Sequence, residues 1–153
     1  FLGHELVYKL GNKDIAREWF KIADLDLSSA EFLQKMSPVP VEIICYHCQQ
    51  SAEKYLKGFL ALNGEEIKKT HDLIQLNKMC QKHDEDFKSI EEGCLMLTDY
   101  GVNVRYPFPM DINEADVKIA FRNAQKIKGF VLAKSNIADS ERQDDSASPS
   151  QQT

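Results

Sequence analysis

Apolar side chains return every three or four positions over most of this 153-residue chain, and proline and glycine cut that rhythm into separate lengths. Alternation with period two, the mark of a half-buried strand, is almost absent, so the chain is expected to fold as helices. Residues 14–36 form the first, with Ile15, Trp19, Ile22, Ala23, Asp26, Ala30 and Leu33 in one phase and Arg17, Lys21, Asp24, Ser28, Glu31 and Lys35 opposite. The run "SPVP" ends it, because Pro38 and Pro40 remove donors and push their predecessors out of the helical region. Pro40 then suits the first turn of a helix over 41–63, closed by Gly64.

Thr70 is the expected cap of a shorter helix, 71–82, carrying Leu73, Leu76 and Cys80. Asp84 opens another over 85–100 with Phe87, Ile90, Cys94 and Leu97 on one stripe. Gly101, Pro107 and Pro109 keep "GVNVRYPFPMDI" from being helical throughout, and "NEAD" reads as a capping box from Asn113 to Asp116. The last helix runs from 114 to about 134, with Val117, Ala120, Ala124, Ile127 and Val131 facing inward. Four long helices plus one short helix, joined mostly by short loops, imply an all-α antiparallel up-and-down bundle. The expected layout is an N-terminal extension over 1–13, the bundle over 14–134 and a polar, disordered tail over 135–153.

Composition bounds the function. Net charge is −5, of which the tail supplies −3 through Asp139, Glu141, Asp144 and Asp145 against Arg142. The body carries no global basic signature of a nucleic-acid binder, so an anion site has to be local. No apolar run reaches the length of a membrane span, and the opening residues have no basic region followed by an apolar core. The four cysteines (45, 48, 80 and 94) sit in apolar helical stretches, which predicts a reduced, cytoplasmic protein.

The stretch "ICYHCQQSAEKYLKGFL", residues 43–59, carries most of the chemical information. On a helix Cys48, Ala52, Tyr55, Leu56 and Phe59 share the apolar centre, so the cysteines belong to the core. Cys45 and Cys48 have C-x-x-C spacing. Zinc sites usually place such a pair on a loop, however, and redox pairs want an exposed sulfur at a helix start. No metal site and no cofactor is therefore expected. His47, Gln50, Lys54 and Lys57 fall on the opposite side, where donors and positive charge along one helix suit a phosphate or another anion. The plain alternative is a solvated helix back with Glu53 as counter-charge. "YGVNVRYPFP", residues 100–109, sets Arg105 among aromatics: it can hold a partner or stack a base, or plug the end of the bundle. Gly-rich phosphate loops and the common hydrolase motifs are missing.

Taken together, "AREWFKIADLDLSSAEFL", "CYHCQQSAEKYLKGFLALNG", "THDLIQL" and "LTDYGVNVRYP" resemble the HEPN domain, the higher eukaryotes and prokaryotes nucleotide-binding family. The most specific piece is H-x-Q-Q-x-A-E-K-x-L-K: His47, Gln49, Gln50, Ala52, Glu53, Lys54, Leu56 and Lys57. The resemblance implies a helical bundle, often a homodimer, that either accompanies a minimal nucleotidyltransferase chain in toxin–antitoxin-like pairs or cleaves RNA without metal through an R-x4–6-H motif. Here the nuclease motif is missing: the positions five to seven residues after Arg105 are Met110, Asp111 and Ile112, and Arg17, Arg122 and Arg142 also lack a histidine at that spacing. The expectation leans away from an enzyme, since without that histidine Arg105 can hold a phosphate but not move protons. It favours a module binding a nucleotide or RNA phosphate through His47, Gln50, Lys54, Lys57, Arg105 and Tyr106, or pairing with a nucleotidyltransferase. A ribonuclease using His47 or His71 and a purely structural interaction protein are the alternatives.

Overall fold

The computed structural model describes residues 11–67, 69–101 and 111–137. Its helices are α1 (Asn12–Leu33), α2 (Val41–Leu62), α3 (Leu73–Gln81), α4 (Glu91–Thr98) and α5 (Glu114–Ser135). A 3-10 segment, Glu85–Ile90, leads into α4, and a second, Asp99–Gly101, follows it. These two segments and α4 cover the stretch expected as one helix over 85–100, but only Glu91–Thr98, eight residues, is α-helical, one fewer than in α3. The protein is an all-α antiparallel bundle, and the described residues contain no strand.

Local chemistry accounts for most boundaries. The turn after α2 is a Schellman motif: Gly64 N–H donates to Ala61 O and Glu65 N–H to Leu60 O, both at 3.0 Å, with Gly64 at φ +78°. Asn113 and Asp116 close a capping box at the start of α5, as their spacing predicts. Asp72, not Thr70, caps α3: its carboxylate accepts from the backbone of Ile74 and Gln75, and Thr70 Oγ1 accepts from Asp72 N–H instead. An aspartate two residues nearer the apolar run outcompetes the threonine for the orphan donors. At the end of α1, residues 34–36 turn through i→i−3 bonds, so the helix stops three residues before the expected end.

α2 is the central rod. Tyr55, Leu56, Phe59 and Leu60 are buried in it, and so are Gln49, Glu53 and Lys57. Around it Phe59, Phe87 and Phe130 pack in series, the first pair tilted and the second edge to face, with ring centroids 4.4 Å and 4.9 Å apart. The stripes expected to face inward on α3, α4 and α5 are all buried. On α1 the phase differs from expectation. The buried residues are Ala16, Phe20, Ala23, Leu27 and Ala30, whereas Ile22 is 44% exposed and Asp26 faces the flank of α2. The physical reason is close approach: three alanines at seven-residue spacing let α1 lie near α2, and a side-chain hydrophobicity pattern underrates them. Gly58 of α2 makes the same fit from the other side, since a Cβ there would stand 2.4 Å from Phe20 Cε1.

Candidate functional site

Two polar clusters flank α2. The first lies where α1 and α2 meet. Asp26 of α1 accepts from His47 Nδ1 at 2.9 Å through one carboxylate oxygen and from Lys54 Nζ through the other. All three are partly buried, and His47 also walls a groove of about 430 Å³ edged by Leu25, Ser28, Phe32 and Leu33. One carboxylate thus serves two basic side chains, so the cluster carries net positive charge whenever His47 is protonated.

The second cluster is deeper. Glu53 is 3% exposed and accepts from Lys57 Nζ at 3.1 Å, from His71 Nδ1 at 2.9 Å and from Gln49 Nε2 at 3.4 Å. Gln49 also donates to His71 O at 3.0 Å and accepts from Gln50 Nε2 at 2.7 Å. Lys57 Nζ lies 5.7 Å from the centre of the Trp19 ring. The Glu53–Lys57 pair is nearly dry, and its remaining acceptor capacity is taken up by Gln49 and His71, which is the condition for such a pair to be tolerated inside a core. His71, by contrast, has a side chain 60% exposed on a groove of about 530 Å³ with Thr70, Asp72, Thr98 and Asp99. With Nδ1 donating to Glu53, its Nε2 is left as the acceptor on the open side.

The sequence expectation therefore divides. His47, Gln50 and Lys54 do sit together along one side of α2, but that side faces α1 and a groove rather than open solvent. Lys57 is buried with its charge given to Glu53. Arg105 and Tyr106 lie outside the described residues. The preceding residue that is described, Gly101, is packed on Gln49, where a Cβ would come within 2.6 Å of the amide carbon. Tyr100 is half-buried and packs against the core. Asp26 was the missed residue of the first cluster. Its signal was present, because a carboxylate in the apolar phase of α1 needs a cation opposite. The role of Glu53 was half visible as a counter-charge, but its bond to His71 joins distant segments that no local pattern links.

All four cysteines are free and buried. Desolvation, then the nearby carboxylates of Asp116 and Glu42, pushes the Cys45 thiol up to about 12, and Cys94 is pushed up to about 12 by burial and then Glu91. Burial drives Cys48 and Cys80 higher still. These are inert core thiols rather than nucleophiles. Among the described residues no group of three or more His, Cys, Asp or Glu side chains could hold a metal ion, and no helix is long and apolar enough to cross a membrane.

The chain is thus an all-α bundle whose central rod buries Gln49, Glu53 and Lys57, with His71 laid on the glutamate. The HEPN domain family model matches residues 16–136, and the chain belongs to that family. Among solved structures it is similar to TT1696 from Thermus thermophilus, at 27% identity and a TM-score of 0.64 over 78% of this chain and 97% of that one. It is also similar to ST0689, an archaeal HEPN homologue, at 25% identity and a TM-score of 0.62 over 79% and 98%. No curated protein matches the chain.

Proposed function

We propose that this HEPN chain is a binding module that works as a homodimer and holds a nucleotide or RNA phosphate, or packs on a separate nucleotidyltransferase chain, at the face where α1 and α2 meet. The observation that carries the reading is the pairing of two basic side chains, His47 and Lys54, with the single carboxylate of Asp26, beside a groove that His47 lines. A phosphate arriving there meets donors already oriented, with excess positive charge when the imidazole is protonated. Gln50 adds a donor, and Arg105 and Tyr106 are assigned the roles of second phosphate holder and stacking ring. Lys57 acts behind them by holding Glu53. The neighbouring apolar stripe of Ile22, Leu25, Phe32 and Met36 is the area against which a nucleotidyltransferase chain would rest. Fluorescence anisotropy with a labelled RNA oligomer tests the phosphate reading: Lys54→Ala with Arg105→Ala should weaken binding at least about tenfold, because each cation supplies a charge-assisted hydrogen bond. Unchanged affinity would overturn it.

One observation favours a second reading, metal-independent ribonuclease activity with a displaced histidine. His71 has its Nδ1 held by a buried carboxylate and its Nε2 turned to an open groove, the arrangement that proton transfer requires. RNA cleavage in the presence of a chelator, lost in His71→Ala and kept in His47→Ala, would support this reading. Absence of cleavage by the wild-type protein would dismiss it.

A further inference from the structure

The face formed by α4 and α5 lies apart from both polar clusters. Leu95, Met96 and Ile119 are 58%, 45% and 42% exposed there, three of the large apolar side chains that the described residues leave in solvent. Between the two helices runs a groove of about 260 Å³, lined among others by Ile90, Gly93, Met96 and Ile119. Asn123 Nδ2 of α5 donates to Met96 Sδ of α4 at 3.6 Å, so the two rods are in contact along the groove.

Charge is divided across this seam. The α4 side carries Glu92, with Glu91 at its edge, and the α5 side carries Lys118, Arg122 and Lys126, all of them exposed. Among the described residues none of these five groups has an ion-pair partner, although the two helices are neighbours. The face is thus an apolar seam with an acidic ridge on one side and a basic ridge on the other. A two-fold axis lying in the plane of such a face, parallel to the seam, lays acid on base twice and seam on seam once.

We propose that this face pairs two copies of the chain, α4 of each on α5 of the other. The inference rests on the homodimer part of the reading above and names its surface. The α1 stripe is larger but suits a second copy less well. Lys21 and Lys35 line the same flank of α1, and a two-fold pairing of antiparallel α1 helices sets lysine against lysine.

The test uses the full chain and two charge-reversed variants, Glu92→Lys and the double variant Arg122→Glu with Lys126→Glu, each checked for helical content by circular dichroism. Sedimentation equilibrium should find the wild-type protein dimeric, with the dimer weakened by added salt. Each variant alone sets like charges together and should dissociate at least about tenfold more readily. An equimolar mixture of the two variants makes both contacts complementary again and should restore the dimer. Wild-type-like dimers from both variants would overturn this face and leave the homodimer reading standing, with the interface elsewhere. A monomeric wild-type protein at every concentration would overturn both. Two dissociated variants that fail to associate on mixing would overturn the charge pairing.

Discussion

Glu53 is the residue on which the interior of α2 depends. It neutralises Lys57 inside the core and orients His71 at the surface, and its own burial leaves no water to replace either partner. Glu53→Ala should therefore cost about 3–5 kcal/mol, the usual penalty for stranding one member of a buried pair. Adding Lys57→Met should recover much of that loss, since removing both charges is far cheaper than removing one. Urea denaturation of the single and double variants checks this, and a single-variant loss under about 1 kcal/mol would show that water reaches Lys57. The sequence made both residues visible as an i,i+4 pair on a helix, but it could not show which side of α2 was dry. Helix phase gives direction and says nothing of what lies opposite. In a central rod the side opposite the hydrophobic stripe is covered too.

At the scale of elements, the inward stripes of α3 to α5 and the caps other than that of α3 were legible because each depends on residues within one or two turns. Asn113 with Asp116, Gly64, and the stripes of α3 to α5 all follow from neighbours in sequence. The phase of α1 did not, because it is set by how closely two helices approach, and that distance depends on Ala16, Ala23, Ala30 and Gly58 together. Two glycine substitutions separate the terms. At Gly129 of α5 an added Cβ meets nothing within 4 Å, so Gly129→Ala should stabilise by up to about 1 kcal/mol through helix propensity alone. Gly58→Ala gains the same propensity but drives a methyl group into Phe20, and overpacking of about 1–3 kcal/mol should make it net destabilising. Thermal melts of the two variants decide this. A Gly58→Ala melting temperature at or above wild type would mean that α1 gives way from α2 without strain.

At the scale of the whole molecule, the bundle and its family were readable from the chain, since the H-x-Q-Q-x-A-E-K-x-L-K run and the T-H-D-L turn record one packing solution: a buried glutamate tied to a surface histidine. The candidate site was readable only in part. His47, Gln50 and Lys54 were found by phase, whereas Asp26 joins them from 21 and 28 residues away for its two bonds. That carboxylate matters to the account, because a ligand has to share Lys54 with it. The most direct measurement is the melting temperature of the wild-type protein and of Lys54→Ala across a panel of nucleotides and short RNAs, each compared with its own ligand-free value. Binding to the native state raises the melting temperature by mass action. The melting temperature should rise for at least one phosphate-bearing ligand, and Lys54→Ala should abolish that rise. No rise with any ligand at near-millimolar concentration, or a rise that Lys54→Ala leaves intact, would contradict the phosphate reading.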